Sequence, residues 1–260
     1  SRGLEISALS CHGNPLHPDA SIASEHHETH RKTVELAQQL GIETVVNFSG
    51  CPGGSPEDRT PNWVTCPWPP DYSELLEWQW TKIVIPHWRA EAKFAKDHSV
   101  KIAFEMHPGF VVHNPRTLLV LKRACGRNGD VIGANFDPSH LFWQGIDPVA
   151  AIRELSGSIF HFHAKDCKVD PINATKYGVL DTTPYADEIN RAWTFRTVGY
   201  GHDYAVWKDI VSALRLVGYD GALSIEHEDS LMSTEEGFEK AVRFLREVVI
   251  EKERPEIWWA

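Results

Sequence analysis

The sequence predicts an α/β fold: a (β/α)8 barrel that lacks its first strand–helix unit in this chain. Three observations carry that prediction. Short apolar runs of strand length alternate with helix-length amphipathic stretches, the pattern of a parallel sheet wrapped by helices. The chain has 260 residues, 42% of them hydrophobic, which suits one barrel of about 250 residues with a full core. Acids and imidazoles recur just past the carboxyl ends of the apolar runs, the end where such folds build active sites. With no break in composition, one domain is expected over residues 1–260.

Residues 4–10 (LEISALS) read as the first strand, with a loop at residues 11–15. Residues 25–40 carry helical spacing at Val34, Leu36, Ala37 and Leu40, and Gly41 suits the C-cap. Residues 43–48 are the next strand, followed by a long irregular loop over 49–71 that holds Trp63 and Trp68. Loops of that length in a compact domain are usually functional or disordered. Residues 72–98 are a long helical stretch that Pro86 should kink or divide.

Residues 101–106 (KIAFEM) form a strand ending at Glu105, and residues 115–125 a helix with proline at its start. Residues 131–136 (VIGANF) form a strand apolar enough for burial on both faces, stopped by Asp137-Pro138-Ser139-His140. A helix at 147–155 begins with Asp147-Pro148 as N-cap and N1. Residues 158–163 (SIFHFH) are a strand, residues 167–192 a long irregular stretch, and residues 193–198 a further strand. A helix at 206–217, a strand at 222–226 and a helix at 234–249, with Ser233 and Glu236 as capping box, complete the order. That makes seven strands, one short of a barrel. The chain opens Ser-Arg-Gly without an initiator Met, so the missing unit is placed before the first strand.

The formal charge of −10 argues against a broad nucleic-acid surface, which needs basic patches. No apolar run approaches the ~20 residues of a membrane span, and no signal-peptide pattern opens the chain. Five cysteines without a C-x-x-C pair read as reduced thiols in a cytoplasmic protein.

Glu105, Asp137, His163 and Glu226 each fall at the carboxyl end of a different strand. For any one of them a salt bridge or N-cap explains the residue; four at the same end of successive strands point to convergence on one mouth. A buried acid beside an imidazole needs a charge partner, either a salt bridge or a divalent metal. Two Glu, one Asp and one His suit Mn²⁺, Mg²⁺, Co²⁺ or Zn²⁺, and are too oxygen-rich for a structural zinc site. His161 shares the strand face of His163, and His163 is preferred because it sits at the strand end. His107 follows Glu105 by two and either bonds a ligand or touches substrate. His12 lines the mouth or is a loop histidine, Lys165 pairs with Asp166 or a substrate oxygen, and Trp63 and Trp68 sit in or next to loops where an aromatic face could meet substrate.

The stretches Phe104–Gly109, Phe136–His140, His161–Asp166 and Ser224–Glu226 resemble the xylose-isomerase-like TIM barrel superfamily of sugar phosphate isomerases and epimerases. The resemblance covers nearly the whole chain and begins at the family's second strand. It implies a divalent metal, manganese first, held by Glu105, Asp137, His163 and Glu226. It also implies that Glu105 and Glu226 are the catalytic acid/base pair, and that His140 and Arg196 bind substrate. The stretch between His163 and Glu226 is long for the smaller epimerases, which leaves room for a larger sugar derivative.

The leading expectation is therefore an isomerase or epimerase that removes a proton α to a carbonyl through an enediolate. A lyase of the same superfamily, a dehydratase or one eliminating from a 3-oxo sugar or glycoside, is the runner-up. An endonuclease-type hydrolase and a non-catalytic sugar-binding barrel follow. The expected partner is a small sugar or sugar derivative, with no nucleic acid and no membrane, and a homo-oligomer stays open.

Overall fold

The computed structural model describes residues 3–253 together with Glu256 and Trp259; the outermost residues of the 1–260 span lie outside the described residues. Eight strands are present among them: β1 Leu9–Ser10, β2 Thr44–Asn47, β3 Lys101–Glu105, β4 Ile132–Phe136, β5 Ile159–Ala164, β6 Asp166–Val169, β7 Trp193–Arg196 and β8 Leu223–Ile225. Six form one parallel sheet in the order β1-β2-β3-β4-β5-β8, and β6 pairs with β7 antiparallel. The helices are α1 Ala20–Leu40, α2 Pro70–Trp78, α3 Ile85–Asp97, α4 Pro115–Ala124, α5 Pro138–Phe142, α6 Pro148–Glu154, α7 Pro171–Tyr177, α8 Tyr204–Leu216 and α9 Thr234–Val248.

The six-stranded sheet is curled into a partly closed, barrel-like half. β2 and β5 have two strands between them yet come into contact, whereas three flat strand spacings would hold them about 14 Å apart. β1 and β8 are its two edges. Helix-facing side chains such as Trp88, Leu118, Ile152, Trp207 and Ile210 pack with Ile102, Phe104, Ile132, Phe136 and Phe162 of the strands in one apolar core. β2 and β4 are buried along their whole length, which suits the apolar residues Val45, Val46, Ile132, Ala134 and Phe136 at their centres.

Three expectations are corrected. The strand expected at 4–10 shortens to β1, with Leu4 86% and Ile6 62% exposed. Leu9 pairs with Val45, so in that register residues 4–7 would lie opposite 40–43, where α1 ends in its Gly41 cap. Residues 193–198 do not add a parallel strand, because β7 runs back along β6. A parallel return needs a helical crossover, and the 170–192 excursion makes a wide hairpin instead. That excursion is also less irregular than expected, since α7 lies within it, capped by Asp170.

The long helix over 72–98 divides, but through a π-helical turn at Gln79–Val84 just before Pro86. Proline lacks the N–H that would bond the carbonyl of Lys82, and the wider turn accommodates its ring. Gln79 is buried there, and its amide donates to the carbonyls of Gly53 and Asn62. This clamps the long loop after β2. All five cysteines are free thiols, four of them buried.

Asp166 organises the turn after β7. Its buried carboxylate accepts from the backbone N–H of Cys167, Gly199, Gly201 and His202, from the His202 imidazole and from the Trp207 indole. Replacing Asp166 with Ala would leave several of these donors buried and unpaired, so Asp166→Ala is expected to destabilise the fold by about 3 kcal/mol or more. Denaturant unfolding checks this, and a loss below about 1 kcal/mol would show that water substitutes for the carboxylate.

Candidate metal centre

Strand geometry builds the site. Side chains two apart on a strand share a face, and four such pairs point into the curl: Glu105 with His107, Asn135 with Asp137, His161 with His163, and Glu226 with Glu228. Ligand atoms of Glu105, Asp137, His163 and Glu226 all lie within 4.8 Å of one another. Glu105 and Asp137 are buried, and His163 and Glu226 are partly open to the mouth. Asp137 doubles as the N-cap of α5, accepting from Ser139 N–H through Oδ1 and leaving Oδ2 to the cluster.

His163 Nδ1 stands 2.7 Å from Glu226 Oε2 and 3.3 Å from Glu105 Oε2. Asp137 Oδ2 stands 3.3 Å from both His140 Nε2 and Lys165 Nζ. Yet Asp137 Oδ2, His163 Nδ1 and Glu226 Oε2 are all buried without a partner in hydrogen-bonding geometry. Close in distance but wrong in angle, these atoms are aimed at a shared point rather than at each other. Orphaned buried polar atoms are costly, and a divalent cation coordinated by all four residues would satisfy them. The donor set, three carboxylates and one imidazole, fits Mn²⁺, Mg²⁺, Co²⁺ or Zn²⁺.

Charge in the site follows from these contacts. Burial raises the Glu105 carboxyl, but hydrogen bonds from His12 and His140 and the nearby His163 imidazole outweigh it and hold the group well below the ordinary carboxylate range. Burial likewise raises Glu226, and His163 and Lys165 bring it down to about 2. Asp137 goes the other way, because its burial, added to the charges of Glu105 and Glu226, exceeds the attraction of Lys165 and His140. Burial disfavours a charged His163, but Glu105 and Glu226 raise it to about 10.

In the metal-free protein His163 therefore carries a proton at neutral pH, which an incoming cation must displace. The apparent affinity for Mn²⁺ is expected to rise by about tenfold per pH unit below pH 10, with about one proton released at pH 7. Calorimetric titration of Mn²⁺ into metal-stripped protein, in buffers of different ionisation enthalpy, measures the proton count. A count of zero would remove His163 from the ligand set.

The other expected residues divide into two groups. His12 Nε2 lies 3.0 Å from Glu105 Oε2, with its Nδ1 2.6 Å from Ser10 Oγ. His140 Nε2 lies 3.1 Å from Glu105 Oε1, and its ring is 4.0 Å from that of His107. Burial depresses His107 to about 3. Lys165 is 2% exposed, 3.0 Å from Glu226 Oε1 and 2.9 Å from Glu228 Oε2. These four join the cluster. Arg196 is instead bonded to Asp229, Trp63 sits edge-on against His113, and Trp68 is 73% exposed; no described contact brings these three to the cluster.

Residues not singled out in the sequence complete the site. Asn135 Nδ2 donates to Glu105 Oε2, while its Oδ1 lies 2.8 Å from His161 Nδ1. An amide oxygen only accepts, so His161 carries its proton on Nδ1, and its Nε2 faces Ser7 Oγ at 3.2 Å. This chain fixes Glu105 from behind and gives His161 a place away from the cluster. A register shift between Ala134 and Asn135 sets Asn135 opposite His161, helped by Gly133, where a Cβ would come 2.5 Å from Ser158 O. Two-residue periodicity would have found Asn135 and Glu228. Phe48, stacked on Phe110 and touching His12, carried no such signal.

The family model for the xylose isomerase-like TIM barrel matches residues 1–248. The chain is 40% identical to the protein YfiH of Bacillus subtilis (strain 168) over 251 residues, 95% of this chain and 79% of that one. Its fold is similar to a xylose isomerase-like TIM barrel protein from Mycobacterium smegmatis in complex with magnesium, with a TM-score of 0.61 and 18% identity over 94% of this chain and 73% of that one. It is also similar to the IOLI protein with a bound zinc atom, with a TM-score of 0.60 and 18% identity over 94% and 77% of the two chains. At these identities the two structures bear on the fold alone.

Proposed function

The chain belongs to the xylose isomerase-like TIM barrel family, and on that premise we propose that it is a divalent-metal-dependent isomerase or epimerase of a sugar or sugar-like carbonyl compound. The observation that carries the reading is the convergence of Glu105, Asp137, His163 and Glu226, which would hold the ion, manganese first. The metals in the two similar structures, magnesium and zinc, support a divalent ion of this kind. When bound, such an ion polarises a carbonyl and its neighbouring hydroxyl and lowers the cost of negative charge there.

The chain's own residues supply the proton transfers. Glu226, with 30% of its side chain open to the mouth, takes the proton α to the carbonyl. The C–H electron pair moves into the enediolate and the proton stays on Glu226. Glu105 first takes up a proton from solvent and delivers it to the opposite face in an epimerisation or to the adjacent carbon in an isomerisation, and Glu226 then releases its proton to solvent. Both acids are held ionised, which suits a base at neutral pH. His140 bonds Glu105, stands 3.3 Å from Asp137 Oδ2 and orients substrate beside them. His12, His107 and Lys165 complete the polar wall. Arg196, Trp63 and Trp68 would reach substrate only if their loops close over it.

We read residues 1–260 as a single domain, the six-stranded parallel sheet as the curled part of a (β/α)8-type barrel left open between β1 and β8, and the cytoplasm as its place of work. No described helix is long and apolar enough to cross a membrane. A lyase that expels a β-leaving group from the same enolate is the second reading. It is favoured by the insert between β6 and β7, which brings Tyr185 beside Phe195 of β7 in the wall of a cavity of about 440 Å³.

The test is a screen of carbonyl sugars with Mn²⁺-loaded protein in deuterated water. Deuterium at the α carbon is the expected result, and product structure then separates isomerase from lyase. Bound metal without exchange across the screen would move the chain to a non-catalytic sugar-binding role. His140→Asn, which keeps hydrogen bonding, is expected to raise KM about tenfold or more while exchange stays measurable. Loss of all exchange with metal and substrate still bound would transfer the proton step to the imidazole.

A further inference from the structure

We propose that the cavity beside the carboxylate–imidazole cluster is a subsite for an uncharged, hydroxyl-bearing part of the substrate, with Glu228 as the residue that accepts its hydroxyls and turns phosphate and carboxylate groups away. The assignment rests on the carbonyl-sugar reading and narrows it to unphosphorylated substrates.

The cavity, about 440 Å³, is lined by His107, Tyr185, Thr194, Phe195, Glu228 and Ser230. Two of its lining residues, His107 and Glu228, are linked to the cluster by side-chain contacts. The His107 ring is 4.0 Å from that of His140, which bonds Glu105. Glu228 Oε2 is 2.9 Å from Lys165 Nζ, which is itself 3.0 Å from Glu226 Oε1. A substrate with its carbonyl at the cluster therefore extends its other end into this space.

The lining asks for hydrogen-bond donors. His107 Nδ1 lies 2.6 Å from the Pro108 carbonyl. A carbonyl only accepts, so the ring donates from Nδ1 and Nε2 is left for a substrate hydroxyl. Glu228 gives one oxygen to Lys165, and its second oxygen takes no hydrogen bond from a described residue. Tyr185, Thr194 and Ser230 add hydroxyls that donate or accept. Sugar hydroxyls can donate to these acceptors, whereas phosphate and carboxylate groups only accept. Phe195 and Tyr185, with ring planes 16° apart and centroids 6.1 Å apart, offer apolar faces to the C–H side of a ring.

None of the six lining residues is Lys or Arg, and the cations nearby are already engaged. Lys165 faces Asp137, Glu226 and Glu228 within 3.3 Å. Arg196 is bonded to Asp229. The Arg191 guanidinium packs on the rings of Tyr185 and Trp193, and its Nε donates to the Trp193 carbonyl. An anion entering the cavity would meet Glu228 with no free positive partner, the arrangement that rejects wrong ligands by like charge.

The experiment measures binding of two probe pairs, D-fructose with D-fructose 6-phosphate and D-glucose with D-glucose 6-phosphate, to Mn²⁺-loaded protein by tryptophan fluorescence and equilibrium dialysis. The expected result is that at least one free sugar binds and its phosphate binds on the order of 100-fold more weakly. Glu228→Gln should remove most of that difference, and Ser230→Arg should reverse it. Both side chains lie at the mouth, and metal content with circular dichroism verifies each fold. Equal or tighter binding of the phosphates by the unaltered protein, an unchanged ratio in both variants, or no binding of either free sugar would overturn the proposal. Deuterium exchange separates the two readings: exchange with phosphates preferred sinks the subsite and keeps the chemistry. Preference for free sugars without exchange does the reverse.

Discussion

Glu226→Gln should leave the chain folded, release the metal and abolish turnover. The side chain has two oxygens with two duties, Oε2 at 2.7 Å from His163 Nδ1 and Oε1 at 3.0 Å from Lys165 Nζ. Glutamine keeps the shape and a carbonyl oxygen for Lys165, so the fold is retained. It removes the negative charge that the ion requires and the basicity that the α proton requires. Altering residues that merely support a ligand costs 10–100-fold in metal affinity, so loss of a ligand charge is expected to exceed about 100-fold. Loss of the base adds on the order of 10²–10⁴ in rate. Metal content after dialysis and α-deuterium exchange at saturating Mn²⁺ read the two effects separately. Full metal content and full activity in Glu226→Gln would remove both roles at once.

Lys165→Met should produce the largest loss of stability at the site. The ammonium is 2% exposed and stands within 3.3 Å of Asp137, Glu226 and Glu228. Burial disfavours its charge, yet those carboxylates more than compensate and push its pKa up. Methionine matches the stem but leaves the buried Asp137 carboxylate facing the more open Glu226 and Glu228 without a counter-charge. Breaking one partner of a buried pair costs about 3–5 kcal/mol, which for a chain of this size lowers Tm by roughly 10 °C. A bound divalent cation supplies compensating charge, so the loss should be smaller with Mn²⁺ than after metal removal. Thermal unfolding with and without Mn²⁺ tests this. A metal-free change below about 1 kcal/mol would show that the carboxylates are neutralised by protonation rather than by Lys165.

How far the site was legible depended on whether a residue's placement is local. Glu105, Asp137, His163 and Glu226 were legible because each ends an apolar run, and a strand's end is written in the few residues around it. The preference for His163 over His161 came from the same local position, and the structure places His161 behind the cluster against Asn135 and Ser7. Arg196 was tied to the site by resemblance alone. Its partner, Asp229, is 33 residues away, beyond the reach of any local pattern. Glu228, two residues past Glu226, was legible by periodicity and was passed over.

By itself, the sequence determined the alternation of strands and helices, the caps at Asp147 and Ser233, the break in the helix near Pro86 and the common end that carries four side chains able to hold a metal. These follow from periodicity, proline chemistry and capping, which act over one or two turns of chain. Tertiary structure decided the rest. The strand at residues 4–10 shrank to Leu9–Ser10 because only those residues find backbone opposite them on β2. Residues 193–196 turned antiparallel because β6, the nearest unpaired ladder, runs the other way. Lys165 became a buried counter-ion because Asp137, past the end of β4, and Glu226 and Glu228, past the end of β8, meet only when the sheet curls. A ladder partner or a counter-charge is supplied by chain tens of residues distant, so its identity is settled by packing and not by the residues beside it.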